Sequence, residues 1–297
     1  MNSLHNASSA STTATPLAQT PSLQALRPSP RMPVVFLGHG SPMNVIEDNR
    51  WRRSWQALGR QFGPDGKYPL PQLILCVSAH WITQGWHVTG MAWPSTIHDF
   101  GGFPQALFDV EYPAPGWPEV AQGLGHELRQ PHNQLSVGVD AHQWGLDHGA
   151  WGVLQPMFPD ARIPVVQLSM DYSRPPAEHL ALGRQLRALR ERGVLIVGSG
   201  NVVHNLRAMV RSAADNQAHD WALEFDALTA RHALAGDHGA LVQLLDQRSL
   251  AQQAHPTHDH YLPLLYTAGA AEPGEIPVFF NEGFQLGAIG MRSMVWG

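Results

Sequence analysis

The chain has almost no cysteine: Cys76 is the single thiol among 297 residues. One thiol excludes an internal disulfide, and such sparse use of cysteine is typical of a reducing compartment, so we expect a cytoplasmic protein. Cys76 lies inside the apolar run 73–80 and is expected to pack as a small hydrophobic residue. At this length a fold can bury most of its unfolded surface without covalent cross-links.

Charge is also scarce. Charged residues make up 14% of the chain, and the formal net charge is −5. Because no basic patch is evident, we expect no nucleic-acid partner. No apolar run approaches the roughly 18–20 residues that a membrane span requires, so we expect no membrane association.

The N-terminal segment lacks the features of a folded core and of a signal peptide. Residues 1–30 are rich in Ser, Thr, Ala and Pro, with no acidic residue and one basic residue, Arg27. They contain no apolar stretch of the kind that a signal peptide needs. We therefore expect a disordered tail over residues 1–31 and a single catalytic domain over residues 32–297.

Short apolar runs bounded by Gly or Pro are typical of strands buried on both faces, as in a parallel sheet. Amphipathic helical patterns lie between these runs. This alternation predicts an α/β fold in which helices flank a mostly parallel central sheet. The expected strands are 33–40, 73–80, 163–169 and 193–200, with weaker candidates at 87–93 and 276–284. The expected helices are 47–62, 175–193, 218–236 and 238–247.

The stretch 94–160 is dense in Pro, Gly, Trp and Phe and only weakly periodic. Long irregular segments in a compact domain are usually functional, so this stretch is expected to form functional loops.

Histidines follow the predicted strands. His39 comes after "VVFLG", His80 ends "LILCVSAH", and His204 lies four residues beyond "VLIVGSG". A fourth, His260, precedes an apolar run that is expected to start a helix. Ligands of open α/β sheets bind outside the carboxyl ends of the strands, where the fold would bring these side chains together. A metal or catalytic site is therefore predicted at that edge.

His39 is held between two glycines, Gly38 and Gly40. Glycine allows a sharp turn and the close approach of a ligand, so His39 would be presented at the rim of the sheet. The alternative is a tight strand-to-helix turn whose histidine merely bonds to the backbone.

Neutral imidazoles suit Fe(II), Zn(II) and Cu(II). A carboxylate from Asp147, Asp259 or Glu282 could complete a set of two histidines and one carboxylate. Asp259 stands between His258 and His260, and adjacent residues point in different directions. At most two of these three would therefore reach the same ion.

The segment 143–154 contains Asp147 and His148. His148 is a candidate acid/base or hydrogen-bond donor to a substrate, while Asp147 either orients a histidine or caps a helix. His98 either contacts the substrate or stabilises its own loop. Five aromatic residues either wall a pocket for a planar ring or belong to the core: Trp81, Phe100, Phe103, Tyr112 and Trp151.

Several motifs together resemble one family. They are "FLGHGSPMN", "SAHW", "DFGGFP", "VEYPAPG", "GLDHGAW", "IPVVQLS", "GSGNVVHNL" and "DHYLPLLYTAGA". The chain is similar, over about residues 32–297, to the 4,5-DOPA dioxygenase extradiol family of the class III extradiol ring-cleaving dioxygenases. Together the motifs are specific, whereas each alone is weak.

The resemblance implies a single α/β domain with one non-haem metal ion. Fe(II) would support activity, and Zn(II) is expected in the same site. His39, His80 and His260 are implied as ligands, and His258 and Glu282 stay open as alternatives for the third position.

The resemblance also implies roles for residues around the metal. His204 would be the acid/base and His148 would lie beside the substrate, and both are expected to be catalytic. Apart from the resemblance, the positions of Trp81, Phe103 and His98 in the sequence make them the expected substrate contacts.

The implied reaction joins dioxygen to a DOPA-like catechol and yields a muconic semialdehyde. We expect a small aromatic diol and dioxygen as partners, and a monomer or small homo-oligomer. Two other functions remain open on the same residues: a zinc hydrolase, in which the ion activates water, and a non-catalytic binding protein on the same fold.

Overall fold

The computed structural model describes residues 21–297. The strands of this part of the chain are β1 (Val34–Gly38), β2 (Leu73–Ser78), β3 (His87–Thr89), β4 (Gly138–Asp140), β5 (Val165–Gln167), β6 (Val194–Gly200), β7 (Val278–Phe280), β8 (Phe284–Gln285), β9 (Ile289–Gly290) and β10 (Ser293–Trp296). Six of them form the central sheet in the order β5-β2-β6-β1-β10-β7. The pairs β5-β2, β2-β6 and β6-β1 are parallel, and β10 runs antiparallel to both β1 and β7. The mostly parallel sheet expected from the sequence is confirmed.

The helices of the described residues are α1 (Arg50–Gly59), α2 (Gln105–Phe108), α3 (Pro118–Glu127), α4 (His148–Met157), α5 (Pro176–Leu186), α6 (Asp220–Leu234), α7 (His238–Gln243), α8 (Arg248–Ala254) and α9 (Leu262–Ala270). Helices α1 and α4 cover one face of the sheet, while α3, α5, α6 and α9 contribute to the apolar core on the other. Within residues 21–297, no helix combines the length and the apolar character needed to cross a lipid bilayer.

Both faces of the central strands are buried, which explains their continuous apolar sequence. Successive residues of a strand point to opposite faces. In β1, accordingly, Val34 and Phe36 enter one core while Val35 and Leu37 enter the other. Cys76 of β2 is fully buried in the core beneath α4, as expected for a small hydrophobic residue.

The stretch 94–160 is more ordered than its composition suggests. It contains α2, α3, β4 and α4, so the prediction of long loops throughout is wrong. In α4 the local signal is poor, because Gly149, Gly152 and Pro156 all have low helix propensity. The helix begins at the Asp147 cap and buries nearly all of its residues, so tertiary packing overrides local preference.

The strand expected over 276–284 is interrupted. It divides into β7 and β8, and between them Asn281 has φ of 53° and Gly283 has φ of 141°. An extended strand cannot continue through such backbone conformations. Helix α8 and strand β10 were not predicted from the sequence.

The end of the N-terminal segment belongs to the folded domain. Leu23 and Leu26 are buried in the core beside α3, and the Ser29 amide donates to the Glu191 carbonyl at 2.9 Å. The tail predicted over 1–31 therefore does not extend to residue 31, since the prediction relied on composition and overlooked two spaced leucines. Its first 20 residues lie outside the described part of the chain.

We expect Leu26→Ala to lower the free energy of unfolding by about 2–4 kcal/mol, because it leaves a cavity in a fully buried site. Chemical denaturation would measure the change. Gln24→Ala, at an exposed position of the same segment, is the matched control and should shift the midpoint very little. Equal, small effects of both variants would show that the segment does not contribute to the core in solution.

Candidate functional site

Parallel pairing brings the ends of β1, β6 and β2 to the same edge of the sheet. The His39 amide donates to the Gly200 carbonyl at 3.0 Å, and the Ala79 amide donates to the Ser199 carbonyl at 2.9 Å. His39 and His80 are thereby placed on neighbouring loops at that edge. The Asn201 amide donates to the His260 carbonyl at 2.8 Å, which fixes the start of α9 against the end of β6.

The two glycines around His39 answer different steric demands. A Cβ on Gly38 would lie 2.6 Å from the Met291 carbonyl oxygen, so only glycine fits beside that backbone. Gly40 has φ of 60°, in the left-handed region that side chains disfavour. The glycines therefore let β1 turn sharply while β10 and its preceding loop approach closely.

Three histidine rings surround one point. The ring centroids of His39 and His80 are 5.2 Å apart, and each lies 5.1 Å from that of His260. One ligand atom from each ring can be chosen so that all three lie within 4.8 Å of one another. His39 and His260 are each only 5% exposed.

Hydrogen bonds define the tautomer of His39. The Ser199 hydroxyl donates to the Gly149 carbonyl at 2.5 Å, so the hydroxyl oxygen is left to accept from His39 Nδ1 at 3.0 Å. With its proton on Nδ1, the neutral ring carries a lone pair on Nε2.

The other two rings follow the same rule with carboxylate partners. His80 Nδ1 lies 3.3 Å from Asp99 Oδ2, and His260 Nδ1 lies 2.8 Å from Asp259 Oδ2. Each Nδ1 proton therefore points outward, and each Nε2 lone pair is free for a metal. The Nε2 atoms of His39 and His80 face each other at 3.4 Å. Two opposed lone pairs at that distance repel unless a cation lies near both, so the donor set fits a metal ion.

Burial keeps the rings uncharged. It lowers the pKa of His39 and of His260 well below the usual range, and the neighbouring histidines lower both further. Burial and then His148 lower the pKa of His80 to about 4. Neutral imidazole is the form that binds metals, so the site is prepared for an ion at neutral pH.

Two more histidines complete the cluster. His148, the first residue of α4, has its ring centroid 4.0 Å from that of His80. His204 stacks on His260, with centroids 3.5 Å apart and planes at 5°. Burial lowers the pKa of His204 to about 4, so this ring also is neutral at pH 7.

Asp99 joins His80 and His148. Its Oδ1 accepts from the backbone amide and from Nδ1 of His148, both at 2.9 Å, while its Oδ2 faces His80 Nδ1. Burial raises the pKa of Asp99, but the hydrogen bonds from His148 and the electrostatic interactions with His148 and His80 outweigh that effect and lower it to about 2. A single carboxylate thus fixes two rings of the cluster.

The five histidines open into a cavity of about 680 Å³, within the range of small-molecule sites. Of the three expected substrate contacts, Phe103 lines this cavity. Trp81 is 3% exposed and stacks on Trp144, and His98 Nε2 bonds to the Val110 carbonyl at 3.0 Å. Neither Trp81 nor His98 is part of the cavity lining. Their positions support roles in core packing and loop stability.

The other residues that the sequence offered as metal ligands are engaged elsewhere or lie outside the group of three histidines. Glu282 pairs with Arg292 at 2.6 Å and its side chain is 57% exposed. Asp147 caps α4 and accepts from Ser78 and Gln167 at 2.6 and 2.7 Å, so its two oxygens are occupied. His258 is not among the three histidines whose ligand atoms converge.

The sequence reasoning missed Asp99 and Ser199. Asp99 lies in "DFGGFP" and Ser199 in "GSGNVVHNL", so both motifs were recognised without their polar members being considered. Nothing in their spacing signals contact with a histidine 19 or 160 residues away. A buried imidazole needs a partner for its second nitrogen, and that requirement was the available signal.

Comparison with known proteins now decides the family. The family model described as the catalytic LigB subunit of aromatic ring-opening dioxygenase matches residues 33–285. The chain belongs to this family. A 4,5-DOPA dioxygenase extradiol from Escherichia coli K12 is 50% identical over 275 residues, which cover 91% of this chain and 96% of the relative.

More distant relatives and a solved structure agree. A 4,5-DOPA dioxygenase extradiol of Beta vulgaris is 35% identical, covering 80% of this chain and 85% of the relative. The dioxygenase tasH of Hapsidospora irregularis is 32% identical, covering 89% and 85%. The crystal structure of an uncharacterized protein from Escherichia coli K12 superposes with a TM-score of 0.75 at 43% identity, covering 90% of this chain and all of that one. The resemblance seen in the motifs is confirmed, since the chain belongs to a family of aromatic ring-opening dioxygenases.

We expect Asp99→Asn to weaken Zn(II) binding by roughly 10- to 100-fold. A loss of affinity of this size is typical when a metal-binding histidine loses the partner that hydrogen-bonds its second nitrogen. The amide retains an acceptor for His148 but sets N–H groups against His80 Nδ1, which favours the tautomer with the proton on Nε2. Competition with a chromophoric chelator would measure the affinity.

Asp109→Asn is the matched control, since Asp109 is exposed, lies at the C-terminal end of α2, and has one side-chain hydrogen-bond partner among the described residues, Gln105. Unchanged zinc affinity in Asp99→Asn would mean that the carboxylate does not hold His80 in its metal-binding tautomer.

Proposed function

We propose that the protein is an Fe(II)-dependent extradiol dioxygenase that opens the ring of a catechol to a muconic semialdehyde. One observation carries the proposal: in a member of an aromatic ring-opening dioxygenase family, five histidines converge on one cavity at the sheet edge.

In this proposal His39, His80 and His260 hold the metal through Nε2. These three imidazoles would hold the ion beside the cavity through which a diol and dioxygen would reach it. Fe(II), when bound, would supply the electron transfer that lets dioxygen react with an aromatic ring. Zinc lacks a second oxidation state but generally binds such sites more tightly, so zinc in a preparation does not argue against an iron enzyme.

His204 is the proposed general base. A catechol must lose a hydroxyl proton, and a neutral ring that lines the cavity can accept it at pH 7. Its stacking on His260 places this base beside a proposed ligand. Acid–base assistance of this kind contributes roughly 10²- to 10⁴-fold to the rate.

His148, on the other side of the cluster, is proposed to accept a proton from the second hydroxyl of the catechol at Nε2 and to return this proton as the ring opens. The Nδ1–H group of His148 donates a hydrogen bond to Asp99. Nε2 of His148 is therefore the atom that exchanges protons with a substrate. Phe103, on the cavity wall, supplies an apolar surface for a planar ring.

The third ligand can be tested by single substitutions. We expect His260→Ala to lose stoichiometric Zn(II), because a third imidazole leaves the set, whereas His258→Ala and Glu282→Gln should retain it. Metal analysis after gel filtration would measure the ratio of zinc to protein. Loss of zinc in His258→Ala with retention in His260→Ala would transfer the third position to His258.

The function is tested by oxygen uptake. Protein stripped of metal is reloaded anaerobically with Fe(II) or Zn(II) and given a panel of catechols that includes DOPA. We expect uptake and a yellow ring-opened product with Fe(II) alone, and we expect His204→Ala to keep its metal while losing roughly 10²- to 10⁴-fold in turnover.

The remaining outcomes discriminate among functions. Full turnover in His204→Ala would remove that residue from the mechanism. No uptake with any catechol at stoichiometric iron would refute the dioxygenase, and hydrolysis with zinc would then indicate the hydrolase.

A further inference from the structure

The cavity has a buried polar end and an exposed end. His39, His260 and His148 are 5%, 5% and 7% exposed, so the cluster lies at the inner end. Leu206 and Arg211 also line the cavity, and both are exposed. The segment after β6 therefore forms part of the mouth, and a catechol whose hydroxyls reach the histidines would direct its ring substituent toward this segment.

Arg211 is the positively charged side chain among the described residues that line this cavity. Across residues 21–297 no carboxylate forms an ion pair with it. Its charge is therefore not neutralised by the protein, unlike that of Arg292, which pairs with Asp226 and Glu282. Nearby lining residues are apolar: Leu206, Met209, Leu286 and Ile289.

The cavity offers no matching site for a cation. Asp99 is the carboxylate of its lining, and both of its oxygens already face histidine donors. A substrate ammonium group would therefore meet an unpaired guanidinium without a free carboxylate within the described lining. Charge at the mouth favours anionic substituents and disfavours cationic ones.

We propose that Arg211 selects catechols whose side chain carries a carboxylate, and that an amino group on that side chain does not strengthen binding. The proposal rests on the catechol dioxygenase function given above. A guanidinium binds a carboxylate through paired N–H donors, and an apolar neighbourhood strengthens that contact. Because the site is exposed, the expected preference is moderate and falls as salt is added.

Binding to the Zn(II)-loaded protein tests the proposal without turnover. The probes are a catechol with a propanoate chain, the same compound with an α-amino group (DOPA), a catechol with a neutral propyl chain, and one with a propylamine chain. We expect the propanoate probe to bind at least as tightly as DOPA and roughly three- to tenfold more tightly than the neutral probe, with the amine weakest. Calorimetric titration at low and high salt would give the dissociation constants.

Variants assign the effect to one side chain. Arg211→Gln should bring the propanoate probe to the affinity of the neutral one, Arg211→Lys should keep most of the preference, and Arg211→Glu should reverse it. Arg207→Gln is the matched control, because Arg207 is exposed four residues earlier and does not line the cavity. This control should bind like the wild type.

The proposal is overturned if Arg211→Gln and Arg211→Glu rank the probes as the wild type does, or if DOPA binds much more tightly than the propanoate probe. Oxygen uptake by the Fe(II)-loaded protein separates the two hypotheses. Charge ranking without uptake refutes the dioxygenase alone, whereas equal turnover and binding of all probes refutes the role of Arg211 alone.

Discussion

The parallel pairing of β2, β6 and β1 is the constraint on which the site depends. Parallel strands end at one edge, so residues that follow different strands meet there although 41 residues separate His39 from His80. The same pairing buries the strands on both faces, which requires helices above and below the sheet. Fold and site are therefore consequences of one arrangement of backbone hydrogen bonds.

The outer partners of the histidines matter as much as their positions. The side-chain oxygens of Ser199, Asp99 and Asp259 each face an Nδ1–H group and accept its hydrogen bond. The Nε2 lone pairs of the three proposed ligands are thereby turned inward. Ser199 can accept this hydrogen bond because its own hydroxyl donates to the Gly149 carbonyl. A buried cluster of rings with unassigned tautomers would instead form hydrogen bonds among its own members and would not be prepared for a metal.

Three acidic residues have different roles because their surroundings differ. Asp147 is fully buried and holds the start of α4, Asp99 holds two rings, and Glu282 lies in an ion pair away from the cluster. In the sequence Asp147 and Glu282 looked like equivalent candidate ligands, and Asp99 was not among the candidates. Asp147 was ranked as a helix cap or as an orienting group, and the structure assigns it to the cap.

The amino-acid sequence by itself determined the α/β class, the buried parallel strands, and the histidines at their carboxyl ends, because burial on two faces leaves continuous apolar runs that local patterns reveal. It also determined the family, through motifs spread along the chain. Only the tertiary structure decided that α4 forms despite its glycines, that Leu23 and Leu26 join the core, and that Asp99 and Arg211 face the cavity. Those features depend on contacts between residues far apart in the chain, for which neither spacing nor composition carries a signal.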